Sequence, residues 1–186
     1  MEQTYRVAVL VGSLRRESFN RALARAMMKL APPSLSFTEI GIGDLPFYDQ
    51  DLDAASAPAP WTRFRQEIAA HQAVLFVTPE YNRSLPAVLK NAIDVGSRPY
   101  GQSVWNGKPA AVVSASISAI GGFGANHALR QSLVFLNMPT LQAPEAYIGA
   151  VDKLLAEDGS IGPETSRAFL AGFMETYAAW VAKLLG

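Results

Sequence analysis

Residues that can bind an anion are concentrated in one segment near the start of the sequence. The segment GSLRRESFN, at residues 12–20, places hydroxyl and guanidinium groups directly after a short apolar run. Ser13 and Ser18 can donate hydrogen bonds to a phosphate, and Arg15 can neutralise its charge. A helix that begins here would add free backbone N–H groups and the positive end of its dipole. The segment therefore indicates a phosphate site, although Ser18 as a simple helix cap beside solvent-facing arginines explains it equally well.

The kind of phosphate is narrowed by two motifs that the sequence lacks. It contains no GxxxxGK[ST] segment for a nucleoside triphosphate, and no GxGxxG segment follows the first apolar run for a dinucleotide. A terminal phosphomonoester fits the segment better.

Two further loops carry groups that suit a flat ring. In TPEYNRSLP, at residues 78–86, Tyr81 and Asn82 stand side by side and can stack on a planar ring and hydrogen-bond to it. An ordinary turn, with Asn and Pro in their usual roles, explains the segment equally well. In SISAIGGFG, at residues 116–124, glycines either allow the backbone to approach a flat ligand closely or mark only a mobile loop.

Short apolar runs alternate with segments of helical periodicity along the sequence. The apolar runs have the composition of strands, and the segments between them repeat apolar residues every three or four positions. Strand followed by helix, five times over, predicts a parallel sheet covered on both faces. We expect a flavodoxin-like α/β fold, a three-layer sandwich whose five-stranded parallel sheet has the order 2-1-3-4-5. The predicted strands are 5–11, 35–40, 73–78, 109–114 and 140–147, and the predicted helices lie near 19–30, 61–68, 84–97, 126–137 and from 163 onward.

Such a sheet would bring the three loops together. In an open parallel sheet the ligand lies outside the carboxyl ends of the strands, near the point where the strand order reverses. The loops at 12–20, 79–85 and 115–126 follow the first, third and fourth predicted strands. The segment 54–60 is rich in Ala and Pro and is predicted to be a surface loop.

The composition limits the possible partners. The 186 residues, 49% hydrophobic and 17% charged, predict one globular domain spanning 1–186. Sixteen basic and sixteen acidic residues cancel, so nothing favours nucleic acid or a membrane as a partner. Without cysteine there is no thiolate chemistry, and redox work would need a cofactor. The first apolar run is too short to span a membrane and lacks the order of a signal peptide, so a cytoplasmic location is expected.

Three segments taken together resemble those of the NADPH-dependent FMN reductases, a family that includes chromate- and quinone-reducing flavoproteins and related azoreductases. They are GSLRRESFNR at 12–21, TPEYNRSLPAVLKNAID at 78–94 and IGGFGANHALRQSLVFLNMP at 120–139, and the resemblance covers most of the chain. It implies an FMN-dependent oxidoreductase with NADPH or NADH as the hydride donor, assembled as a homodimer or homotetramer. The acceptor would be a small molecule, such as a quinone, an azo compound, a flavin or a metal oxyanion like chromate, reduced by alternating hydride transfer.

The resemblance also implies roles for residues of all three loops. No catalytic acid or base is implied, because hydride transfer is the chemistry of the flavin. Ser118 stands where the family commonly has glycine, which leaves the path of the third loop open. Val95 stands where tryptophan is usual, a change expected to affect a subunit interface or the substrate entrance. The implied FMN-binding residues are Ser13, Arg15, Ser18, Phe19 and Asn20 at the phosphate and its chain, Pro79, Glu80, Tyr81 and Asn82 along the isoalloxazine, Ala115 and Ser116 on its far side, and Gly121 and Gly122 at the nearby wall.

Other functions fit the sequence less well. The main alternative is a non-catalytic electron carrier of the flavodoxin kind, but such carriers usually dock through a strongly charged face. A phosphotransfer receiver needs acidic residues at its strand ends, where Thr78 and Pro79 stand instead. A phosphatase of the thiolate type needs a cysteine, and no DxDxT segment is present. Asp49, Asp51 and Asp53 lack the glycine and glutamate of a calcium loop, so we expect them in a solvated loop.

Overall fold

A single five-stranded sheet forms the centre of the computed structural model, which describes residues 3–156 and 158–186. All four strand pairings are parallel, and the order is β2-β1-β3-β4-β5. The predicted flavodoxin-like order 2-1-3-4-5 is therefore confirmed. The strands are β1 (Tyr5–Val11), β2 (Leu35–Glu39), β3 (Ala73–Thr78), β4 (Ala110–Ala115) and β5 (Ala146–Ile148).

In the part of the chain that the structure describes, six helices lie along the two faces of this sheet. They are α1 (Phe19–Leu30), α2 (Gln50–Ser56), α3 (Ala59–Ala69), α4 (Ala87–Gly96), α5 (Phe123–Phe135) and α6 (Glu164–Leu185). A single turn of 3-10 helix, Val151–Lys153, follows β5. Among the described residues, no helix combines the length and apolar composition needed to cross a bilayer.

The sheet separates two hydrophobic cores. On one side, β1 packs against α1 and α6 through residues such as Leu23, Met27 and Phe173. On the other side, Trp61, Phe64 and Trp105 are fully buried with residues of α4 and α5. All six residues of β3 and all six of β4 are buried, because helices cover both faces of these central strands. This double burial is why their sequences are continuous apolar runs rather than alternating ones.

Two predicted elements differ from the structure. The strand expected at 140–147 is reduced to Ala146–Ile148, preceded by one isolated bridge between Thr140 and Ala110. Pro144 interrupts this segment, because proline has no N–H to donate to the ladder. The surface loop expected at 54–60 is wrong at both ends, since α2 runs to Ser56 and α3 begins at Ala59. Asp49 caps α2 by accepting a hydrogen bond from the Asp51 N–H.

Two helix starts also move. The helix expected from about 84 begins at Ala87, because residues 81–84 close a turn of their own. The helix expected from about 126 begins at Phe123, after Gly122 in a left-handed conformation. Its first turn is completed by the Glu80 carboxylate, which accepts a hydrogen bond from the Ala125 N–H at 3.1 Å. A cap supplied by a side chain 45 residues away leaves no local sequence signal.

Candidate functional site

The first candidate loop, residues 12–18, joins β1 to the N-terminus of α1. Ser18 is the helix cap, and its Oγ accepts a hydrogen bond from the Arg21 N–H at 3.2 Å. This contact uses the oxygen and leaves the hydroxyl proton for another acceptor, so capping and ligand binding are compatible. Ser13 is buried, whereas the guanidinium of Arg15 is exposed and lies 5.7 Å from the centre of the Phe19 ring. The first turn of α1 carries no acidic side chain, so its dipole can attract an anion.

The guanidinium of Arg21, which sequence reasoning missed, holds this loop in place. Its Nε donates to the Glu39 carboxylate at 2.7 Å, at the end of β2. Its Nη1 donates to the Arg15 carbonyl at 3.1 Å, and its Nη2 donates to the Ser13 carbonyl at 3.2 Å. Turning two carbonyls of the loop towards one cation leaves the opposite, N–H side of the backbone free for an anion. The GSLRRESFNR segment contains Arg21, but its partner Glu39 lies outside that segment.

Asn20 connects the first loop to the third. Its Nδ2 donates to the Ala115 carbonyl at 3.3 Å, at the end of β4. That contact fixes the amide orientation, because a carbonyl can only accept. The Asn20 Oδ1 is buried and has no hydrogen-bond partner among the described residues. A buried acceptor without a donor costs about 1–3 kcal/mol, so a ligand hydroxyl at this position would relieve that cost. The ribityl chain of FMN carries hydroxyl groups, which can donate the hydrogen bond that the Asn20 Oδ1 lacks.

The second candidate loop is a tight turn. Tyr81 and Ser84 exchange backbone hydrogen bonds, each 3.0 Å long. The two residues between them, Asn82 and Arg83, have φ values of 51° and 66°. Positive φ at both central positions defines a type I′ turn, which asparagine tolerates but arginine adopts only with strain. Such strain often marks functional loops, and here it presents the Tyr81 side chain half exposed at the carboxyl edge of the sheet.

Glu80 does not extend freely along this edge. Its carboxylate caps α5, as described above, and lies 3.4 Å from the Arg83 guanidinium. Gly124 makes this docking possible, since a Cβ there would lie 2.7 Å from the Arg83 carbonyl oxygen and 2.9 Å from the Glu80 Oε2. Gly12 likewise allows the first and second loops to approach each other closely, because a Cβ there would lie 2.8 Å from the Thr78 Oγ1. The three loops are thus packed on one another, at positions where only glycine fits.

The third candidate loop follows β4 and is shaped by Gly121 and Gly122. Their φ values are 62° and 77°, and both residues are buried. A Cβ on Gly121 would lie 2.5 Å from the Tyr147 carbonyl carbon, and one on Gly122 would lie 3.0 Å from the Ser114 Cβ. Both glycines are therefore required by their backbone conformation and by close contact with neighbouring residues of the protein, so they do not mark merely a mobile loop.

The first residues of the third loop lie at the carboxyl end of β4. Ala115 is fully buried and turns its carbonyl to Asn20, while the Ser116 N–H donates to the Ile148 carbonyl at 3.0 Å. Ser118, which replaces a common glycine, does not have a positive φ. Its Oγ accepts from the Ile120 N–H at 3.4 Å, so serine fits this path without strain.

Two expectations are wrong. Val95 is fully buried in the core of α4, so it does not face a subunit interface or a substrate entrance. Asp53 is not in a solvated loop but in α2, where its carboxylate accepts two 2.8 Å hydrogen bonds from the guanidinium of Arg65 in α3. These hydrogen bonds lower the pKa of Asp53, and burial raises the pKa of the neighbouring Tyr48.

Known proteins resemble the chain over almost its whole length. The family model described as NADPH-dependent FMN reductase matches residues 5–153. A quinone reductase from Pseudomonas putida is 61% identical over 181 residues, which are 97% of each chain. A 2-hydroxy-1,4-benzoquinone reductase from Burkholderia sp is 48% identical over 176 residues, covering 95% of this chain and 96% of the relative. The solved structure of FerB, a flavoenzyme NAD(P)H:(acceptor) oxidoreductase from Paracoccus denitrificans, has a TM-score of 0.92 at 44% identity and covers 97% of this chain and 98% of its own.

Proposed function

The chain belongs to the NADPH-dependent FMN reductase family and is an NAD(P)H-dependent flavin oxidoreductase, and we propose that its electron acceptors are quinones. The observation that carries the proposal is the similarity to two relatives named as quinone reductases, which are 61% and 48% identical over nearly the whole chain. The similarity spans all three candidate loops. Membership of a family of reductases sets aside the non-catalytic electron carrier that the sequence left open. Azo compounds and metal oxyanions such as chromate remain predicted acceptors, to be compared with quinones in the same assay.

The three loops divide the work of binding FMN. Ser13, Ser18 and Arg15 would hold the phosphate with hydroxyl donors and a cation at the start of α1. Phe19 packs beside Arg15 and would limit the guanidinium to this position. The Asn20 Oδ1 would accept from a hydroxyl of the ribityl chain, since it is a buried acceptor without a partner among the described residues.

The isoalloxazine would lie between the second and third loops. Pro79, Tyr81 and Asn82 would form one side, while Glu80 keeps that side fixed by capping α5. Ala115 and Ser116 would face the ring from the end of β4, and the turn formed by Gly121 and Gly122 would close the wall.

FMN bound in this site would supply the hydride chemistry that links NAD(P)H to the electron acceptor. The chain contributes orientation and exclusion of water, since the loops that would surround the ring are closed by hydrogen bonds within and between them. One open face would serve the nicotinamide and the acceptor in turn, which is the alternating scheme expected from the sequence.

A subunit interface is proposed on the C-terminal halves of α4 and α5. Val134 and Phe135 are 76% and 89% exposed, unusual values for large apolar side chains on one helix end. Beside them, a cavity of about 310 Å³ lies between the two helices. A second copy of the chain would bury this patch, giving the expected homodimer or, by further pairing, a homotetramer. Light scattering on wild type and Phe135→Glu tests this, and a monomeric wild type would contradict it.

Two other expectations also remain predictions. A single domain spanning 1–186 is supported by the one continuous sheet. The cytoplasmic location requires fractionation of cells that produce the protein.

The proposed function is tested first on purified protein. We expect a yellow protein whose visible flavin bands bleach with NADPH and return on addition of 1,4-benzoquinone. Steady-state rates at several fixed quinone concentrations should give parallel double-reciprocal lines. A colourless protein that does not bind added FMN, or intersecting lines, would contradict the assignment.

The phosphate assignment has its own test. Arg15→Ala combined with Ser18→Ala should weaken FMN binding by tenfold or more, because each lost phosphate contact is worth about 1–3 kcal/mol. Arg16→Ala is the matched control, since Arg16 is exposed in the same loop. Equal FMN affinity in the double variant and the control, measured by flavin fluorescence, would remove these residues from the site.

A further inference from the structure

A chain of hydrogen-bonded polar side chains connects the segment that precedes β5 with the third loop. The Arg130 Nη1 donates to the Leu141 carbonyl at 2.8 Å, and its Nε donates to the Asn126 Oδ1 at 2.8 Å. The Asn126 Nδ2 lies 3.3 Å from the Ser114 Oγ, which in turn donates to the Gly121 carbonyl at 2.8 Å. The same Nδ2 group also lies 3.3 Å from the Ala146 carbonyl oxygen and 3.5 Å from the Val112 carbonyl oxygen. Asn126 and Ser114 are both fully buried. The Gly121 carbonyl belongs to the turn proposed to close the flavin wall.

Hydrogen-bond chemistry gives this chain a single direction. Arginine can only donate, so the Asn126 Oδ1 must be the acceptor and its NH₂ group must face Ser114. The Ser114 hydroxyl has one proton, and with Asn126 donating to its oxygen that proton is directed to the Gly121 carbonyl. No carboxylate of the described residues lies within salt-bridge distance of Arg130, so no carboxylate there competes with Asn126 for it.

The Gly121 carbonyl is a sensitive point of the third loop. Gly121 and Gly122 both have positive φ, so rotation of the peptide between them would change the direction of the loop. Contacts on both sides hold the turn, with the Tyr147 backbone against Gly121 and the Ser114 side chain against Gly122. Ser114 is the one side chain with a hydrogen bond to this carbonyl among the described residues.

We propose that Asn126 is a positioning residue for the flavin-facing turn: directed by Arg130, it orients the Ser114 hydroxyl and thereby fixes the Gly121 carbonyl. Asn126 does not itself contact the flavin. The predicted effect on FMN binding rests on the proposed function. The ordering of the turn is a property of the protein alone and does not depend on FMN.

Two substitutions interrupt the chain at different links. Ser114→Ala removes the hydroxyl and leaves the Gly121 carbonyl unpaired. Asn126→Asp keeps the shape and the contact with Arg130 but removes the NH₂ donor, so the Ser114 proton turns to the new carboxylate and leaves Gly121. It also removes the contacts of Nδ2 with the Val112 and Ala146 carbonyls. Each should raise the dissociation constant of FMN about tenfold, the effect of losing one buried hydrogen bond. The matched control is Ser132→Ala, which removes a hydroxyl from the same helix that bonds only to the Ala128 carbonyl.

The decisive measurement is the double variant. If Asn126 acts through Ser114, the combination of Ser114→Ala and Asn126→Asp should weaken FMN binding by about tenfold, like either single change. Independent roles would multiply to about a hundredfold and overturn the proposal. Unchanged FMN binding in both single variants would overturn it as well.

Amide hydrogen exchange on the FMN-free protein separates this proposal from the proposed function. Both single variants should exchange about tenfold faster in residues 116–124, while Ser132→Ala matches wild type throughout. Elsewhere Ser114→Ala should exchange at the wild-type rate, and Asn126→Asp should differ only beside Val112 and Ala146, whose carbonyls lose a contact. Faster exchange across the whole sheet would mean a general structural role and would contradict positioning. If wild type binds no FMN, the proposed function fails, and the exchange pattern still decides whether Asn126 orders the turn.

Discussion

Arg21 illustrates how one side chain can shape a binding loop without entering it. Its three donors bind one carboxylate from the end of β2 and two carbonyls of the loop after β1. A guanidinium can hold three acceptors in one plane, which an ammonium cannot do. We therefore attribute the shape of the first loop to Arg21 as much as to Ser13 or Ser18.

Arg21→Lys should loosen the loop and raise the dissociation constant of FMN between threefold and about tenfold, since lysine cannot hold all three acceptors. Arg25→Lys is the control, because Arg25 approaches the same Glu39 only at 3.8 Å and is largely exposed. Fluorescence titration of both variants measures the difference. Equal affinities would mean that Arg21 does not shape the site.

Tyr177 presents the opposite case, because its hydroxyl oxygen makes no hydrogen bond in the described structure. Its hydroxyl is fully buried and has no hydrogen-bond partner among the described residues, and burial raises its pKa. Tyr177→Phe should therefore stabilise the protein by about 1 kcal/mol, because it removes an unpaired buried group. Tyr147→Phe should do the reverse, since the Tyr147 hydroxyl is hydrogen-bonded to the His127 Nε2 at 2.8 Å. Urea unfolding gives both signs, and destabilisation by Tyr177→Phe would reveal a partner for that hydroxyl.

At the scale of elements, glycine positions decide how closely helices and loops approach. Gly96 ends α4 against Trp105, where a Cβ would lie 2.5 Å from the indole ring. The Trp105 Nε1 also donates to the Ile93 carbonyl at 2.9 Å, so the ring cannot move away cheaply. Gly172 lies within α6 with no heavy atom near its potential Cβ.

Alanine should therefore have opposite effects at these two glycines. Gly96→Ala should destabilise the protein by about 1–3 kcal/mol through overpacking. Gly172→Ala should stabilise it by about 1 kcal/mol, because glycine is a poor helix residue and nothing obstructs a methyl group. Chemical unfolding under identical conditions provides the comparison. A stabilised Gly96→Ala would show that Trp105 has freedom the structure does not indicate.

Over the whole molecule, one buried ion pair ties three helices together. Asp53 of α2 binds Arg65 of α3 in a bidentate pair, and the Arg65 Nε donates to the Val95 carbonyl of α4 at 2.9 Å. Both side chains are mostly buried, at 5% and 13% exposure. Removing one partner from such a pair leaves the other charge buried and uncompensated.

The pair gives stability a dependence on pH. Hydrogen bonds from Arg65 lower the pKa of Asp53 in the folded protein, so the folded state binds its proton less readily than the unfolded state. The contribution is therefore complete above about pH 4, the unfolded value for aspartate, and is lost as the pH falls through the lower folded pKa. Asp53→Asn should cost about 3 kcal/mol at pH 7 and less in acid. Asp94→Asn, in the exposed pair with Lys90, should change stability little at either pH.

The sequence predicts well what depends on neighbouring residues and poorly what depends on distant ones. The apolar runs of β1, β3 and β4 indicate the central strands because burial on both faces requires such runs. Helix α2 was not predicted, since none of its residues is buried and it has no apolar stripe to detect. The roles of Glu80 and Arg21 in bracing the loops were also missed, because their partners lie 45 and 18 residues away.

The turn at residues 81–84 has a thermodynamic consequence for any ring that stacks on Tyr81. Because its backbone hydrogen bonds close the turn within the protein itself, the conformational entropy of this loop is lost during folding. A ligand then meets a surface already in shape, so its affinity is not reduced by ordering this loop. The heat capacity change on FMN binding should accordingly reflect buried ring surface alone, without the larger contribution of a loop that folds around its ligand.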